Sequence, residues 1–497
     1  MARICDICGE REATHFDSAL KNNHSVTYAY CDTCYRSLLQ KGINPQIEAD
    51  RIRKFNSKAC ASCGTDVQEF EDEFLFGCAD CYQNMRAYAL QIANDVQGAT
   101  EHVGKRGIPF DLKNRGVGGA YQNSELPIYA TNKDYINRIF DLSDLRTLGK
   151  NKFKTADECS EQELVASNVI SSRIRLARNL LGLPFPRKMQ PFSHNLDDEI
   201  AGAYLASKGV FDARICKIRD LDKSQKKALI ERHIISLNLA NNDQNGAVVV
   251  DGGNTGFSVM INEEDHFREQ CVVDGFDLKT AYKRLDVYDT NLMRNLPIAY
   301  DAQLGFLTAC PTNVGTGMRA SVMLFLPALK RAGAIDDALA TFKRKYGLTI
   351  RGVFGEGSES ENDLYQISNS RTLGVDEKTT IAQVEEAVVN MCYCERVALE
   401  KLVLEEGNGL LADITRSFNF LIGAKSLEYA EFAREISNLK LGVILGVLPA
   451  TLKTVQIDKL ALLCSPSSIE IAIKSRYENP SVLRAEIVRA VLMGGRC

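Results

Sequence analysis

No apolar run in this chain approaches the roughly 20 residues that a membrane-spanning helix needs. The longest, LGVILGVLPATL at 441–452, reads as core. The opening MARICDICGE has no apolar stretch of the kind a secretory signal carries. Excess charge is missing too. The chain has 60 Lys and Arg against 64 Asp and Glu, a net charge of -4, so nothing draws it as a whole to nucleic acid or an anionic membrane. No GxxxxGK[ST] occurs anywhere, which argues against a Walker-type NTPase, and GVGG at 116–119 is not a phosphate loop. These absences leave a cytoplasmic globular protein as the expectation. Its 497 residues are enough for about three domains and a sizeable core.

Cysteine, in contrast, is abundant. Eight of the 16 fall before residue 82, all in CxxC pairs. Cys5 and Cys8 precede Cys31 and Cys34; Cys60 and Cys63 precede Cys78 and Cys81. The intervening gaps of 22 and 14 residues fall just outside the usual ribbon gap of about 15–20, on either side. In a reducing compartment a disulfide framework is disfavoured, so metal binding is the default. Each CxxC offers two thiolates from one tight turn, and two such turns close a tetrahedral Zn(II) site. A redox CxxC or plain buried cysteines are the alternatives, and cross-braced sharing of ligands stays open.

The chain divides into 1–88 with two four-cysteine modules, a Gly-rich and polar linker with short helices over 89–155, a mixed body over 156–400 and a helical end over 401–497. GAVVVDGG, GFSVMIN, LGFLTACPT and LTIRGVFGE read as sheet. From about 382 the apolar residues recur at helical spacing.

Four stretches of the body set charge beside strand or turn residues. SSRIRLAR puts Arg173 and Arg175 two apart, on one face of a strand. INEEDHFR supplies Glu264 and Arg268 directly after a run made for burial. CPTNVGTGMRAS holds Cys310 and Arg319; GEGSESEN holds Glu356, Glu359 and Glu361. Many arginines with few carboxylates suit phosphoryl transfer from ATP without a P-loop. Arginine forks clamp the polyphosphate, Mg(II) offsets charge, and carboxylates hold a guanidinium acceptor. The bland readings are a solvated charge run for 263–268, a structural histidine at 233 and a small buried hydrophobe at Cys310. Asp265 and His266 read as braces of the Glu264 turn.

The motifs SSRIRLARN, INEEDH, CPTNVGTG with RAS, and GEGSE with QISN occur in one order. They resemble those of the phosphagen (guanidino) kinases, most closely the bacterial protein-arginine kinase branch, over about 160–497. CxxCG…FGCxxCY at 60–82 resembles the zinc-binding activators of that branch. The resemblance implies an α+β fold: an antiparallel sheet flanked by helices, a helical C-terminal subdomain, and zinc knuckles in front. It implies nucleotide binding by Ser171, Arg173, Arg175, His233, Arg268 and Arg319. It implies that Glu264 binds and deprotonates the guanidino group, that Cys310 contacts it, and that Glu359 or Glu356 is the second carboxylate. The cofactors implied are ATP, Mg2+ and Zn2+. The partners implied are proteins with exposed arginine and a Clp-type chaperone-protease, with a homodimer as the assembly and roles in stress response and protein degradation. A kinase for free arginine and a zinc adaptor without kinase activity are the competing functions. One departure stands out. The branch's phosphoarginine-sensing RDxxRA becomes AEIVRA at 485–490, with Arg484 one place off, which puts that sensing in doubt.

Overall fold

The computed structural model describes residues 3–8, 10–21, 24–56, 59–110, 154–192, 195–253, 256–352, 363–448, 452–473 and 479–493. The first zinc module is a hairpin of β1 (His15–Lys21) and β2 (His24–Tyr30) followed by the helix Asp32–Gln40. Asp6 ties its cysteine turn to the hairpin, its carboxylate accepting from the Ala29 amide at 2.7 Å. The second module is two cysteine turns around the helix Val67–Glu73, which Asp66 caps by accepting from the Glu69 amide at 2.8 Å. The helix Arg86–Gln97 follows.

The body is built on an eight-stranded sheet. Its members are β3 (Val169–Arg178), β4 (Ala213–Lys217), β5 (Ala247–Asp251), β6 (Phe257–Ile261), β7 (Phe267–Asp274), β10 (Met318–Phe325), β11 (Leu348–Gly352) and β12 (Leu364–Asn369). Two short strands, β8 (Tyr300–Asp301) and β9 (Gly305–Phe306), pair apart from it. The order is β11-β12-β10-β3-β7-β6-β5-β4, and every pair is antiparallel.

The two faces of this sheet differ. One carries Ile174, Leu176, Val249, Val259, Ala320 and Ile367, buried under the helices Asn195–Ser207, Leu278–Asn295 and the first half of Glu377–Gly423. On the other, β4 to β6 are covered by apolar residues of the helices Lys223–Glu231 and Leu237–Ala240 and the turn between them. Strand alternation places Arg173 and Arg175 on this second face, beyond the cover. The long helix Glu377–Gly423 kinks at Glu406, beside two glycines, and its end joins the C-terminal helices in a separate core.

The second zinc module shares a core with the body. Phe70, Phe76, Tyr82, Met85 and Ile92 pack with Phe185, Leu304, Leu307, Val314 and Leu373. Beyond the helix Arg86–Gln97 the chain runs on as a strap. Lys105 reaches Asp289 at 2.8 Å and Asp286 at 2.6 Å, and its backbone amide donates to Glu377 at 3.0 Å. Asp289 in turn pairs with the fully buried Arg178. LGFLTACPT, expected as sheet, is strand only at Gly305–Phe306. Gly305 adopts a positive φ, and the carbonyls of Thr308, Ala309 and Pro311 are satisfied by the zinc module and its helix rather than by a sheet neighbour.

Candidate active site

Register assembles the cationic floor. Arg175 on β3 lies opposite Arg319 on β10 and Gln270 on β7; Arg173 lies opposite Ser321 and Val272. Among the described residues, Arg173 donates only to Ser321 Oγ at 3.3 Å, and Arg319 donates to Ser368 Oγ at 2.9 Å. Among the described residues, no carboxylate lies within ion-pair distance of Arg173, Arg175 or Arg319. Burial, then the neighbouring arginines Arg351 and Arg268, hold Arg173 down to about 10. Burial followed by Arg351, Arg173 and Arg268 does the same to Arg319. Arg175 is pushed well down by burial and three guanidinium neighbours. Half-buried cations crowded together without anions make a site that awaits one.

Ser171 lies on the same face of β3, two residues before Arg173. His233 sits at the edge of the apolar cover with φ of 57°. Its carbonyl accepts from Gln270 Nε2 at 2.8 Å. Burial, with Arg173 and Arg175, lowers its imidazole to about 4, so it is neutral at physiological pH.

The connection between β6 and β7 presents the acids. Arg268 pairs with Glu263 at 2.6 Å and with Glu264 at 3.3 Å. Burial works against the Arg268 charge, but Glu263, Glu264 and Asp265 together raise it above the ordinary value. Sequence pattern alone assigns Glu264 and Arg268 to the inside; Glu263 also faces in, and its other oxygen accepts from Ser236 Oγ at 2.7 Å. Glu264 accepts from Asn313 Nδ2 at 3.2 Å, which joins this turn to the Cys310 loop. Burial first, then Asp265, pushes Glu264 up to about 7 against the pull of Arg268. Asp265 and His266 are buried braces. Asp265 Oδ1 accepts from Asn179 Nδ2 at 2.6 Å and from the Ala309 amide at 2.8 Å, and His266 meets Asn179 Oδ1.

Cys310 is half-buried, its Sγ 3.0 Å from Thr312 Oγ1. Burial and then Glu264 raise the thiol to about 11, so it stays protonated. The zinc module grips the backbone around it. Tyr82 Oη donates to the Thr308 carbonyl at 2.8 Å, the Phe76 amide to Ala309 at 2.9 Å, and Gln97 Nε2 to Pro311 at 3.0 Å. Beyond it, Gly315 and Gly317 have positive φ and pass so close to the Thr372 and Ala177 carbonyls that a Cβ would clash.

Glu356, Glu359 and Glu361 lie outside the described residues. Arg351, which pattern reading overlooks, stands two residues from Thr349, the β11 partner of Ser368, and so shares the arginine face. A lone cation in the otherwise strand-like LTIRGVF is the signal that could have found it.

The thiolate clusters fit zinc. Cys5, Cys8, Cys31 and Cys34 form one group and Cys60, Cys63, Cys78 and Cys81 the other, without cross-bracing. A tetrahedral site with Zn–S near 2.3 Å requires sulfurs about 3.8 Å apart. The Cys8–Cys31, Cys60–Cys78, Cys63–Cys81 and Cys78–Cys81 separations are 4.0, 3.7, 3.4 and 3.8 Å. These are Zn2+ sites of structural type, closed by four sulfurs.

Comparison with known proteins agrees with this geometry. Residues 197–398 match the C-terminal catalytic domain of the ATP:guanido phosphotransferases, and residues 58–104 match the McsA central zinc-finger domain. A protein-arginine kinase of Caldanaerobacter subterraneus subsp. tengcongensis is 37% identical over 330 residues, 65% of this chain and 96% of that protein. One of Shouchella clausii is 36% identical over 310 residues, 61% of this chain and 85% of that protein. The crystal structure of a lombricine kinase superposes with a TM-score of 0.51 at 20% identity, over 73% of this chain and 93% of that one, a likeness of fold. The chain therefore belongs to the protein-arginine kinase family of ATP:guanido phosphotransferases, with a zinc-finger region of the McsA type in the same polypeptide.

Proposed function

We propose that the chain transfers the γ-phosphoryl group of ATP to arginine side chains of proteins. The observation that carries this reading is the meeting of two environments at Arg268: an arginine floor without anions on one side, and Glu264 with the Cys310 loop on the other. Arg173, Arg175, Arg268, Arg319 and Arg351 clamp the polyphosphate, with Ser171 and His233 toward the nucleoside. Magnesium arriving with the nucleotide offsets part of its charge. Glu264 orients the guanidinium and takes its proton as nitrogen attacks phosphorus and the bond to the ADP oxygen breaks. A part-buried carboxylate with a raised pKa is a better base than a fully exposed one. Cys310, a thiol, contacts the acceptor and forms no covalent intermediate. The second carboxylate of the acceptor site is Glu359 or Glu356.

The relatives named protein-arginine kinases support a protein acceptor over free arginine. So does the position of the zinc module and strap, ahead of the SSR motif where small-guanidine kinases carry a domain that closes over a free amino acid. The zinc module activates the kinase in cis, by fixing the backbone on both sides of Cys310. In this reading phosphoarginine marks proteins for a Clp-type chaperone-protease under stress. The kinase works in the cytoplasm, as a homodimer. No helix among the described residues is long and apolar enough to cross a membrane.

The test is an ATP assay with an unfolded arginine-rich protein against free arginine, followed by acid. Label on the protein that acid removes is the expected result. Label on free arginine alone, or acid-stable label, would overturn the reading.

A further inference from the structure

The turn that carries Glu264 begins on a backbone that few residues accept. Asn262 has φ of 58°, in the left-handed region that asparagine tolerates better than most. Its amide donates to the His266 carbonyl at 2.9 Å and closes the five residues 262–266 between β6 and β7. Its side chain is fully buried. Nδ2 donates to Glu199 Oε2 at 2.6 Å and to the Asn245 carbonyl at 2.9 Å, while the Asn262 carbonyl accepts from Asn242 Nδ2 at 2.8 Å.

Glu199 belongs to the helix Asn195–Ser207, which lies on the core face of the sheet. It is 0% exposed and, among the described residues, no lysine or arginine pairs with it. Its second oxygen stands 3.9 Å from His266 Nε2, at the other end of the same turn. A buried carboxyl without a cation costs stability, and an apolar residue would fill a helix–sheet contact at lower cost. What Glu199 does supply is a fixed acceptor beneath the first residue of the turn.

We propose that Glu199 is a positioning residue for Glu264: through Asn262 it fixes where the acidic turn starts, and so where the base stands. The inference rests on the reading of Glu264 as the base. The groups that face Glu264 are Glu263, Asp265, Arg268, Arg175, Asn313 and Cys310, and a shift of the turn changes its distance to each of them and to water.

Two readouts on the full-length chain test this. One is kcat and the ATP KM on a single short arginine peptide. The other is the Glu264 titration, followed by NMR with carboxyl-labelled glutamate and identified by its loss in Glu264→Gln. Asn262→Gly keeps the left-handed backbone and loses the anchor. It should lower kcat about tenfold, a displacement effect, with the ATP KM nearly unchanged and the Glu264 titration moved down by about one pH unit. Glu199→Leu should behave alike, and Glu199→Gln, which keeps an acceptor oxygen, should rescue both readouts. Folded Asn262→Gly with wild-type kcat and an unmoved titration would overturn the inference. So would a lower kcat with an unmoved titration, the mark of a merely structural role. If the wild type transfers nothing to arginine, the functional reading fails instead, and the titration still decides the positioning because it needs no turnover.

Discussion

Tyr82 Oη donates to the Thr308 carbonyl at 2.8 Å, across 226 positions of sequence and two residues before Cys310. Tyr82 follows the last ligand of the second zinc cluster, so one hydrogen bond links that module to the Cys310 loop. Removing the hydroxyl leaves a buried carbonyl without its donor, a loss of about 1–3 kcal/mol. Tyr82→Phe should therefore lower kcat on a short arginine peptide by about tenfold, or ~1.4 kcal/mol of barrier. If the zinc module only recruits clients, that variant keeps full rate on the peptide. A chain cut to 156–497 should be slower in the same assay, and the intact protein should lose no specific activity on dilution.

In its proposed role as base, Glu264 must be ionised to take a proton from the guanidinium. Burial raises its pKa to about 7, so the active form is lost as pH falls through that value. The acid limb of kcat/KM for the arginine peptide should lie near 7, well above the ordinary glutamate value of about 4.3. Glu264→Gln should remove the limb and cost about 10²-fold or more in kcat, with ATP binding, measured calorimetrically, nearly intact. A limb near 4 in the wild type would refute the assignment.

Metal analysis of the reduced full-length protein should give two zinc ions per chain, one for each cluster of four thiolates. The clusters should differ in consequence. Cys60→Ser removes a ligand from the module that grips the acceptor loop and should abolish most peptide phosphorylation. Cys5→Ser lies in the module that pairs Arg3 with Asp95 at 3.1 Å but makes none of the contacts described to the Cys310 loop, and it should leave the peptide rate within about twofold. Equal losses in both variants would contradict this division.

Arg351→Ala should raise the ATP KM about tenfold, the scale of one charge-assisted phosphate contact, with a smaller change in kcat. An unchanged KM would remove Arg351 from the nucleotide floor.

Added phosphoarginine should leave the rate within about twofold of its starting value, because the motif's first arginine is replaced and Arg484, one place off, already spends its guanidinium on buried carbonyls. Arg484 is 4% exposed and donates to the carbonyls of Cys464 at 3.0 Å and Leu427 at 2.8 Å. Ala485 stands fully buried where the branch has its first arginine. A marked stimulation would show that another site serves as sensor.

What could be read in advance followed local periodicity. The two-residue spacing of Arg173 and Arg175 gives one face of a strand, and CxxC gives a chelating turn, wherever the rest of the chain goes. Locally Arg351 is marked only as a lone cation in a strand-like run; that it joins the arginine face depends on the β11–β12–β10 register. Glu263 escaped because three adjacent acids look alike until the chain closes around Arg268. The grip of Tyr82, Phe76 and Gln97 on residues 308–311 was out of reach for the same reason. Its partners are over 200 residues apart, and the apolar side chains beneath it read as an ordinary module core.

That shared core has a consequence for control. Where activator and enzyme are separate molecules, their ratio sets how much enzyme is on, and a cell can tune one against the other. Here Phe70, Phe76 and Tyr82 complete the same apolar cluster as Leu304, Leu307 and Val314. The two parts should melt in one cooperative transition, and their stoichiometry is fixed at synthesis. Metal supply then takes the place of partner abundance: under the proposed activation in cis, a chain made without zinc would lack both its fold at the seam and its switch.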